Sequence, residues 1–600
     1  MPTLKIPGVY VQEVPTLPPG VAEVNSAVPA FIGYTSTTKF NDQDLKYQPI
    51  KVQSMLEYVR FFGESSPFTI EGVTADLTQT ANEATVSNHF YLYDSLQLYF
   101  LNGGGPCYIV SIGTYAESSD SDEPYIKGLD TLDLHDEPTL YLFPDAVLLP
   151  DDSLAKVQQV SLRKCGELMD RFSILDVKRN TSKTSTLEAV ANFRNKIGMG
   201  NLNYGAAYTP WLSTTLGKTI TVASINNIFT TLNSLPVSLL NTEINGSKIS
   251  ASISDYKKLF DNLNTLAANP TIKDIAATYS DAIEAYVSGA KKTKNPFDAA
   301  ELFKPVLEFT ITSGSLQIFW DDNVKSQINT WKEELVEKTK DGTDEEKASA
   351  KENYLLGVLN STNFERFTDL NRYVRNGLQK IVTTYETFLI DNIPFYASLL
   401  KVLNNKLTEL PPSGAMAGLY CKIDSERGVW KAPANISVSA INGVSQLYTN
   451  ADLADLNVDP VAGKSINVIR PITGYGNMVM GARTLAGNDS EWRYVPVRRL
   501  FIFIEENLKK ATAWAIFEPN DRLLWLKVRT QIENYLFELW RQGALAGAKP
   551  EHAYQVNCGL NSTMTPQDVL EGKLIVEIKL AAVRPAEFIL LKFSHQLQKS

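Results

Sequence analysis

Strand patterns and helical patterns alternate along the chain between about Ser26 and Leu212. Apolar strand patterns cover residues 28–34, 107–112, 139–143 and 173–177, and helical patterns cover residues 91–101 and the stretch that follows Asp151. The first helical pattern stops at the glycines 103–105, and the strand pattern of 139–143 stops at Pro144. Repeated alternation of strands and helices predicts an α/β domain.

The length of the chain and its changes in composition predict several domains. The chain has 600 residues, more than one hydrophobic core usually supports, so we expect two to four domains. The first twenty residues are rich in proline, which removes backbone donors and breaks helices, and they are predicted to be extended. The predicted domains are an N-terminal arm (1–25), an α/β domain (26–214), an inserted domain (215–405) and a C-terminal domain (406–600).

The inserted and C-terminal domains differ in their patterns. Residues 215–405 are rich in Asn, Ser, Thr and Lys, and apolar residues such as Leu355, Leu359 and Leu370 predict amphipathic helices. The C-terminal domain is predicted to contain a strand at Tyr494–Val497, a helix with an apolar face over 500–508, a helix capped by Asn520 or Asp521 and ended by Gly543, and strands over 574–580 and 587–593. The fold class expected is a multidomain mixture of α/β and α+β structure.

Composition excludes several classes of function. The net charge of −10 disfavours binding to nucleic acid, because phosphate contacts need a basic surface. We expect no secretory signal, because no early stretch combines a basic start, an apolar run and a cleavage site. We expect no membrane insertion, because no apolar run reaches about 20 residues. Synthesis in the bacterial cytoplasm is therefore expected, with the four cysteines as free thiols.

No motif supports enzymatic chemistry. Leu216-Gly-Lys-Thr219 resembles the end of a phosphate loop, but Leu212 stands where that loop needs a glycine. The four histidines and four cysteines are scattered without metal-ligand spacing. We expect no catalytic residue, no cofactor and no metal site, although a site assembled only in space stays an alternative.

Short sequence blocks in the last third of the chain are specific as an ordered set. They are Pro411-Pro-Ser-Gly-Ala, Arg427-Gly-Val-Trp-Lys-Ala-Pro-Ala-Asn435, Gly481-Ala-Arg-Thr-Leu485, Glu491-Trp-Arg-Tyr-Val495, Val497-Arg-Arg-Leu-Phe501, Phe517-Glu-Pro-Asn520 and Arg584-Pro-Ala-Glu-Phe588. In this order they resemble the contractile tail sheath family of phage tails, R-type pyocins and phage-like extracellular injection systems. Lys5-Ile-Pro-Gly-Val-Tyr10, Val28–Tyr34, Asn102–Tyr108 and Tyr204–Leu212 resemble the N-terminal part of that family.

The resemblance implies a structural subunit rather than an enzyme. It implies a homopolymer of stacked rings around an inner tube, whose terminal strands pair with a sheet in neighbouring subunits. Matching positions for these inter-subunit arms are Val9, Tyr10, Val11, Gln12, Glu13 and Val14 at one end, and Glu587, Phe588, Ile589, Leu590, Leu591, Lys592 and Phe593 at the other. The inserted domain is then expected on the outer surface, and contraction needs no nucleotide.

Two sets of charged residues admit both a functional and a structural interpretation. Arg498, Arg499, Lys509 and Lys510 are predicted to contact an acidic inner tube, or else to form a solvated basic face. The second set, Arg483, Glu491, Arg493 and Glu518, is predicted to form buried ion pairs, since the planar guanidinium matches a carboxylate, with anion binding as the alternative.

The partners expected from the resemblance are further copies of the chain, an inner tube protein, and baseplate and terminal cap proteins. The chain would then belong to a virion or a phage-tail-like particle, with extracellular release left open. The alternatives are a minor or baseplate-proximal sheath paralogue, and an adhesin in which residues 215–405 do the binding.

Overall fold

A computed structural model describes most of the chain. The described residues are 21, 24–75, 81–87, 89–179, 185–218, 220, 243–244, 247–248, 251, 254, 326–359, 383, 387, 390–391, 394–459, 461–588 and 590. The predicted N-terminal strand arm, Val9–Val14, lies outside these residues, as do Ile589, Leu591, Lys592 and Phe593 of the predicted C-terminal arm.

The described elements are numbered in chain order. The strands are β1 (Pro29–Thr35), β2 (Lys39–Phe40), β3 (Gln43–Asp44), β4 (Pro49–Val52), β5 (Thr69–Ala75), β6 (Ala81–Ser87), β7 (Cys107–Thr114), β8 (Leu140–Leu142), β9 (Phe172–Asp176), β10 (Gly205–Thr209), β11 (Leu212–Thr214), β12 (Glu243–Ile244), β13 (Ser247–Lys248), β14 (Glu409–Leu410), β15 (Ile436–Ser437), β16 (Ile441–Val444), β17 (Asn467–Ile472), β18 (Gly476–Val479), β19 (Tyr554–Cys558) and β20 (Val576–Leu580). The α-helices are α1 (Met55–Phe62), α2 (Leu92–Leu101), α3 (Glu123–Asp130), α4 (Asp151–Leu168), α5 (Ser185–Lys196), α6 (Ser326–Lys338), α7 (Asp344–Leu359), α8 (Pro394–Leu407), α9 (Ser413–Arg427), α10 (Asn450–Asn457), α11 (Val495–Ala511), α12 (Arg522–Arg541), α13 (Pro550–Ala553) and α14 (Pro566–Leu570).

The chain divides into two compact units. The core unit comprises residues 1–67, 88–218 and 407–600, and the inserted unit comprises residues 68–87 and 219–406. The inserted unit therefore takes in the β5–β6 hairpin, which the sequence assigned to the α/β domain. The core unit joins the N-terminal α/β segment and the C-terminal segment, which the sequence treated as separate domains.

A nine-stranded mixed sheet organises the core unit. Its order is β15-β18-β17-β10-β9-β8-β1-β7-β4. The six strands from β17 to β7 run parallel, and antiparallel strands flank them on both sides. Every residue of β1, β8, β9 and β10 is buried, as expected for parallel strands covered on both faces.

Helices α2 and α9 pack at very close range through two glycines. A Cβ atom at Gly414 would lie 2.4 Å from the carbonyl oxygen of Ser95, and one at Gly418 would lie 2.4 Å from that of Tyr99. Such distances are below any real contact, so only glycine allows this approach of the two helices.

Two buried carboxylates bind the N-termini of these helices. Asp145 accepts hydrogen bonds from the backbone N–H groups of Tyr34, Tyr91 and Leu92, at the start of α2. Asp176, at the end of β9, accepts one from the N–H of Ser413 at the start of α9, at 2.9 Å. Burial raises the pKa of Asp145 to about 6 and that of Asp176 to about 7, although these hydrogen bonds favour the charged forms.

A second hydrophobic cluster joins α11, α12 and the β19–β20 hairpin. Its buried members include Leu500, Ile504, Val528, Leu536 and Val556. The predicted helical face over 500–508 is confirmed by the burial of Leu500, Phe503, Ile504 and Leu508. Asp521 caps α12 by accepting the N–H of Leu524 at 2.9 Å, and Gly543 follows the helix with a φ of 86°.

The predicted strand at Tyr494–Val497 is wrong. Helix α11 begins at Val495, and Tyr494 is its extended N-cap residue, in an isolated antiparallel bridge with Arg483. Pro496 lies in the first turn, where the missing N–H would have no partner in any case. The predicted strand over 574–580 is shorter in the structure, where β20 begins at Val576.

Candidate functional site

The N-terminal segment is anchored to the core unit at residues 24–28. The N–H of Val24 donates to Oδ1 of Asn507 at 2.7 Å, and Asn507 donates in turn to the hydroxyl of Tyr535. The hydroxyl of Ser26 donates to Oδ2 of Asp424 at 2.6 Å. Val24 and Ser26 are therefore fixed to α11 and α9.

A buried ion pair forms the centre of this anchor. Arg499 on α11 donates Nη1 to Oδ1 and Nη2 to Oδ2 of Asp424 on α9, at 3.0 and 2.5 Å. Nη2 also donates to the carbonyl oxygen of Ser26 at 3.1 Å. Burial opposes the charged form of Arg499, but the carboxylate of Asp424 outweighs it and raises the pKa of Arg499. This pair joins two helices and the N-terminal segment.

Arg498 is also buried, inside a group of aromatic rings. Its guanidinium carbon lies 4.3 Å from the ring centroid of Trp492 and 4.8 Å from that of Tyr204. Nη2 pairs with Glu505 at 3.1 Å. The prediction that Arg498 and Arg499 lie on an exposed basic face is therefore wrong, because Arg498 packs against aromatic rings and Arg499 pairs with Asp424 on α9.

Lys509 and Lys510 do lie on the surface, at the C-terminal end of α11. Their side chains are 72% and 42% exposed, and both pair with Glu506, at 3.6 and 3.0 Å. Cations at a helix C-terminus interact favourably with the helix dipole, which accounts for their position in part. Of the predicted tube-contact residues, these two keep an accessible charge.

The C-terminal segment is anchored by a second buried arginine. Arg483 donates Nε to Oε1 and Nη2 to Oε2 of Glu587, at 2.9 and 2.6 Å. Asn457 donates to Oε1 at 2.8 Å, and the hydroxyl of Tyr494 donates to Oε2 at 3.0 Å. We call this arrangement of Arg483, Asn457, Tyr494 and Glu587 the Glu587 clamp.

Arg483 forms its buried ion pair with Glu587 and not with Glu491 or Glu518, the carboxylates predicted from the sequence. Glu491 and Glu518 are exposed, and within the described residues neither forms an ion pair. Arg493 donates Nε to the backbone oxygen of Asp489 at 3.2 Å. Glu587 stands 104 residues from Arg483 in sequence, and no local pattern indicates their contact.

Hydrogen bonds determine the charge state of Glu587. Partial burial alone would raise the pKa of this carboxyl group, but the donors Arg483, Asn457 and Tyr494 outweigh burial and lower it. Glu587 is therefore ionised near neutral pH, and each of its oxygens accepts two hydrogen bonds.

Beyond Val583 the C-terminal segment is extended and touches the core unit on one face. Pro585 and Glu587 are half-buried, whereas Arg584, Ala586 and Phe588 are exposed. Such alternation is that of a β-strand. Phe588 is 76% exposed and Leu590 is 79% exposed. Residues 583–588 pair with no strand of the described chain, and most of the predicted terminal strand over 587–593 lies outside the described residues.

The β19–β20 hairpin has two open edges. Its five residue pairs run from Tyr554–Leu580 to Cys558–Val576, and no other strand among the described residues joins this sheet. Beside it lies an apolar groove of about 940 Å³, lined by residues that include Phe501, Leu508, Phe517, Leu524, Ile578 and Leu580. Unpaired edges of this kind are ready to accept additional strands.

The motifs that resembled ligand sites have structural explanations. Lys218 of the Leu216–Lys218 stretch pairs with Oδ2 of Asp94 at 2.8 Å. Nε2 of His89 lies 3.3 Å from the same oxygen. In the part of the chain that is described, no group of three acidic, His or Cys side chains is placed to hold a metal ion. The same residues include no helix that is both long and apolar enough to span a bilayer.

The core unit combines two anchored terminal segments with a two-stranded sheet that no other described strand joins. Residues 487–595 match the phage tail sheath C-terminal domain family, and this range includes α11, α12, the hairpin and Glu587. The resemblance to contractile tail sheath proteins predicted from the sequence is thereby confirmed, and that family consists of structural proteins rather than enzymes.

Curated relatives are similar over part of their length. The tail sheath protein of Vibrio phage KVP40 is 25% identical over 191 residues, which are 32% of this chain and 27% of that protein. The tail sheath protein of Enterobacteria phage T4 is 25% identical over 186 residues, again 27% of that protein. The chain thus spans about a quarter of the length of these two relatives.

Solved sheath structures share the fold over nearly the whole chain. The contracted helical sheath of the anti-feeding prophage has a TM-score of 0.51 and 24% identity, over 99% of both chains. The contracted sheath complex of the extracellular contractile injection system PVC has a TM-score of 0.51 and 22% identity, over 99% of this chain and 98% of that one. A chain of the anti-feeding prophage baseplate is similar to the same degree, with a TM-score of 0.51.

Proposed function

We propose that this chain is the subunit of a contractile sheath, which polymerises as stacked rings around an inner tube. The observation that carries the proposal is the combination of two anchored terminal segments with a two-stranded sheet whose edges are open. A chain whose described part offers free strand edges can join identical copies head to tail by accepting their terminal segments. Heterologous contacts of this kind build open helical assemblies.

Strand exchange supplies the link between copies. The N-terminal arm at Val9–Val14 and the C-terminal arm at 587–593 of neighbouring copies each add a strand to the β19–β20 hairpin. The backbone hydrogen bonds of such added strands need no particular side chain, so the link tolerates rotation of the subunits. The apolar groove beside β20 offers a place for the alternate side chains of an added strand.

Contraction is proposed to use energy stored in the extended lattice. The extended sheath is a metastable state held by the tube and the baseplate, and triggering lets the subunits repack into a wider and shorter lattice. Each subunit contributes only a small free energy, because many subunits act together. Contraction then drives the tube through a target membrane without nucleotide hydrolysis.

Electron microscopy of the purified protein tests this proposal. The full-length chain is expected to form long hollow tubules, and a version that lacks residues 1–20 is expected to stay as monomers or single rings. If both versions form tubules, the sheath proposal stands, and the N-terminal arm is not required for assembly. Monomers of the full-length chain, with its tube protein present, would contradict the proposal.

Contact with the inner tube is assigned to the exposed end of α11. We expect the double variant Lys509→Glu with Lys510→Glu to bind the tube at least about tenfold more weakly at low salt, because complementary charge supports recognition of an acidic partner. Cosedimentation of sheath subunits with purified tubes at several salt concentrations measures this. The control is Lys573→Glu, an exposed lysine of the same domain paired with Glu571. If the wild type and the double variant bind the tube equally, Lys509 and Lys510 do not contribute to tube binding.

A second candidate function is a baseplate-proximal sheath subunit. Two of the similar structures are of the anti-feeding prophage baseplate. A baseplate-proximal subunit would be present in one ring of each particle, whereas the main sheath subunit would be present in every ring. The copy number of the chain in purified particles, measured by quantitative mass spectrometry, separates the two.

A further inference from the structure

Asp176 is a buried carboxylate at the end of the central strand of the nine-stranded sheet. It is the last residue of β9, and it is 4% exposed. The backbone N–H of Ser413, at the start of α9, donates to its Oδ1 at 2.9 Å. No other N–H group of the described residues donates to this carboxylate. Oδ2 is therefore left without an N–H donor in that part of the chain.

Asp145, the other buried carboxylate at a helix N-terminus, has a fuller set of donors. Its Oδ1 accepts the N–H groups of Tyr91 and Leu92, and its Oδ2 accepts that of Tyr34. Three N–H groups favour the charged form of a carboxyl group more than one does. Burial therefore raises the pKa of Asp145 to about 6 but that of Asp176 to about 7.

The cationic side chains nearest to Asp176 in sequence are bound to other carboxylates. Lys178 pairs with Asp151 at 3.2 Å, and Arg179 pairs with Glu409. Within the described residues, no charged side chain acts on the carboxyl group of Asp176. An anion at this position would thus lack the ionic partner that a buried charge usually needs.

The elements packed around Asp176 also present no charge to it. In β10 its register partner is Tyr208, whose hydroxyl lies 2.8 Å from that of Tyr420. On α4, Gln158 donates to the backbone oxygen of Asp176 and not to its carboxylate. The first turn of α9, which begins at Ser413, holds no charged residue. The polar surroundings of the carboxyl group therefore come down to Ser413.

The hydroxyl of Ser413 completes a place for a proton. It lies beside the carboxylate, is fully buried, and has no hydrogen-bond partner. Its oxygen is an unused acceptor, and a neutral carboxyl group has the O–H donor that an ionised one lacks. The carboxyl group of Asp176 and the side chain of Ser413 are thus complementary when the carboxyl group holds a proton.

We propose that Asp176 and Ser413 form a proton-binding site through which pH controls the attachment of α9 to β9. In mild acid, the neutral carboxyl group accepts the Ser413 N–H through one oxygen and donates to the Ser413 hydroxyl through the other. In mild alkali the proton passes to solvent and leaves a buried anion without a cation. Helix α9 is then held less firmly. The site lies within one copy of the chain, so this inference does not depend on the proposed assembly.

Proton linkage gives the direction of the effect on stability. The ordinary pKa of an aspartate is 3.8, and burial raises that of Asp176 to about 7 in the folded protein. Between these values the folded protein holds a proton here that the unfolded chain does not. The stability that the site contributes is therefore complete below the ordinary pKa and is lost as the pH rises through about 7. Glu587 acts in the opposite direction, because its pKa is lowered.

The Asp176→Asn variant tests the site, because its amide is neutral at every pH and resembles the protonated acid. We expect the unfolding equilibrium constants of variant and wild type to agree within about threefold at about pH 5. At about pH 8 we expect that of the variant to be about tenfold smaller, since only the wild type then carries the buried anion. Urea unfolding of the unassembled full-length protein across this pH range measures the ratio.

The control is Glu426→Gln, which changes an exposed carboxylate on the same helix. Its unfolding constant is expected to keep a constant ratio to wild type over the same range. A constant ratio for Asp176→Asn as well would overturn the proton-binding site.

Infrared difference spectroscopy gives a second readout that does not require the variant to fold. Acidifying the wild type from about pH 8 to about pH 5 is expected to produce the C=O band of a protonated carboxyl group, because Asp176 takes up its proton in this interval. Asp176→Asn is expected to lack part of this band. A wild-type protein that forms no such band would contradict the assignment, whatever the stability of the variant.

Discussion

The Asp424→Asn variant is expected to lose about 3–5 kcal/mol of unfolding free energy in the core unit, the cost of leaving a buried charge without its partner. The side chain of Arg499 is 4% exposed and has Asp424 as its carboxylate partner. Asparagine keeps the shape of the side chain and one acceptor oxygen, but it removes the negative charge. Urea unfolding followed by tryptophan fluorescence and circular dichroism measures the loss.

Two comparisons make this prediction specific. Glu426→Gln changes an exposed carboxylate on the same helix and is expected to change the free energy by less than about 0.5 kcal/mol. Adding Arg499→Met to Asp424→Asn removes the unpaired charge and is expected to recover part of the loss. If Asp424→Asn unfolds at the same urea concentration as wild type, the buried pair is not what holds α9, α11 and the N-terminal segment together.

Gly418→Ala is expected to lower the unfolding free energy of the core unit by about 3 kcal/mol, at the upper end of what overpacking usually costs. The new methyl group would lie 2.4 Å from the carbonyl oxygen of Tyr99 and 2.9 Å from Cβ of Asn102. Both obstacles belong to or adjoin the backbone of α2, so no side-chain rotation relieves them. Helices α2 and α9 must move apart, which opens the core beside β1.

The matched control makes the same substitution where there is space. Gly443 lies in β16 of the same unit with no atom within 4 Å of an added Cβ, and Gly443→Ala is expected to be close to neutral. Thermal and urea unfolding of both variants give the comparison. Equal stability of Gly418→Ala and Gly443→Ala would show that the two helices are not packed as closely as described.

Local patterns predicted the elements of the core unit well. Strands β1, β7, β8 and β9 and helix α2 lie within one or two residues of the predicted ranges. Their signals are a continuous apolar run, a helical period or a glycine stop, and all of these act between residues close in sequence. The cap Asp521 and the stop Gly543 were predictable for the same reason.

Side-chain partners across the chain were not predictable. A buried arginine near Gly481-Ala-Arg-Thr-Leu485 was expected to form an ion pair, and it does, but with Glu587 instead of Glu491 or Glu518. Arg498 and Arg499 looked like half of a basic surface, because sequence shows their charge but not the sheet and the helices around them. Their carboxylate partners, Glu505 and Asp424, lie 7 and 75 residues away.

The division into units also depended on distant pairing. Strands β5 and β6 pair with each other and belong to the inserted unit, although they precede the rest of that unit by more than a hundred residues. Strands β15, β17 and β18 from the last third join the same sheet as β10. The sequence does not show which distant segments pair as strands. The two segments of the core unit were therefore predicted to be separate domains.

A cryo-electron microscopy reconstruction of tubules assembled from the full-length chain tests the central claim most directly. Strand exchange predicts that every β19–β20 hairpin lies in a four-stranded sheet, with one edge paired to the N-terminal arm of one neighbouring copy and the other edge paired to the C-terminal arm of another. Tubules in which the hairpin stays two-stranded, with both arms folded on their own subunit, would contradict the account.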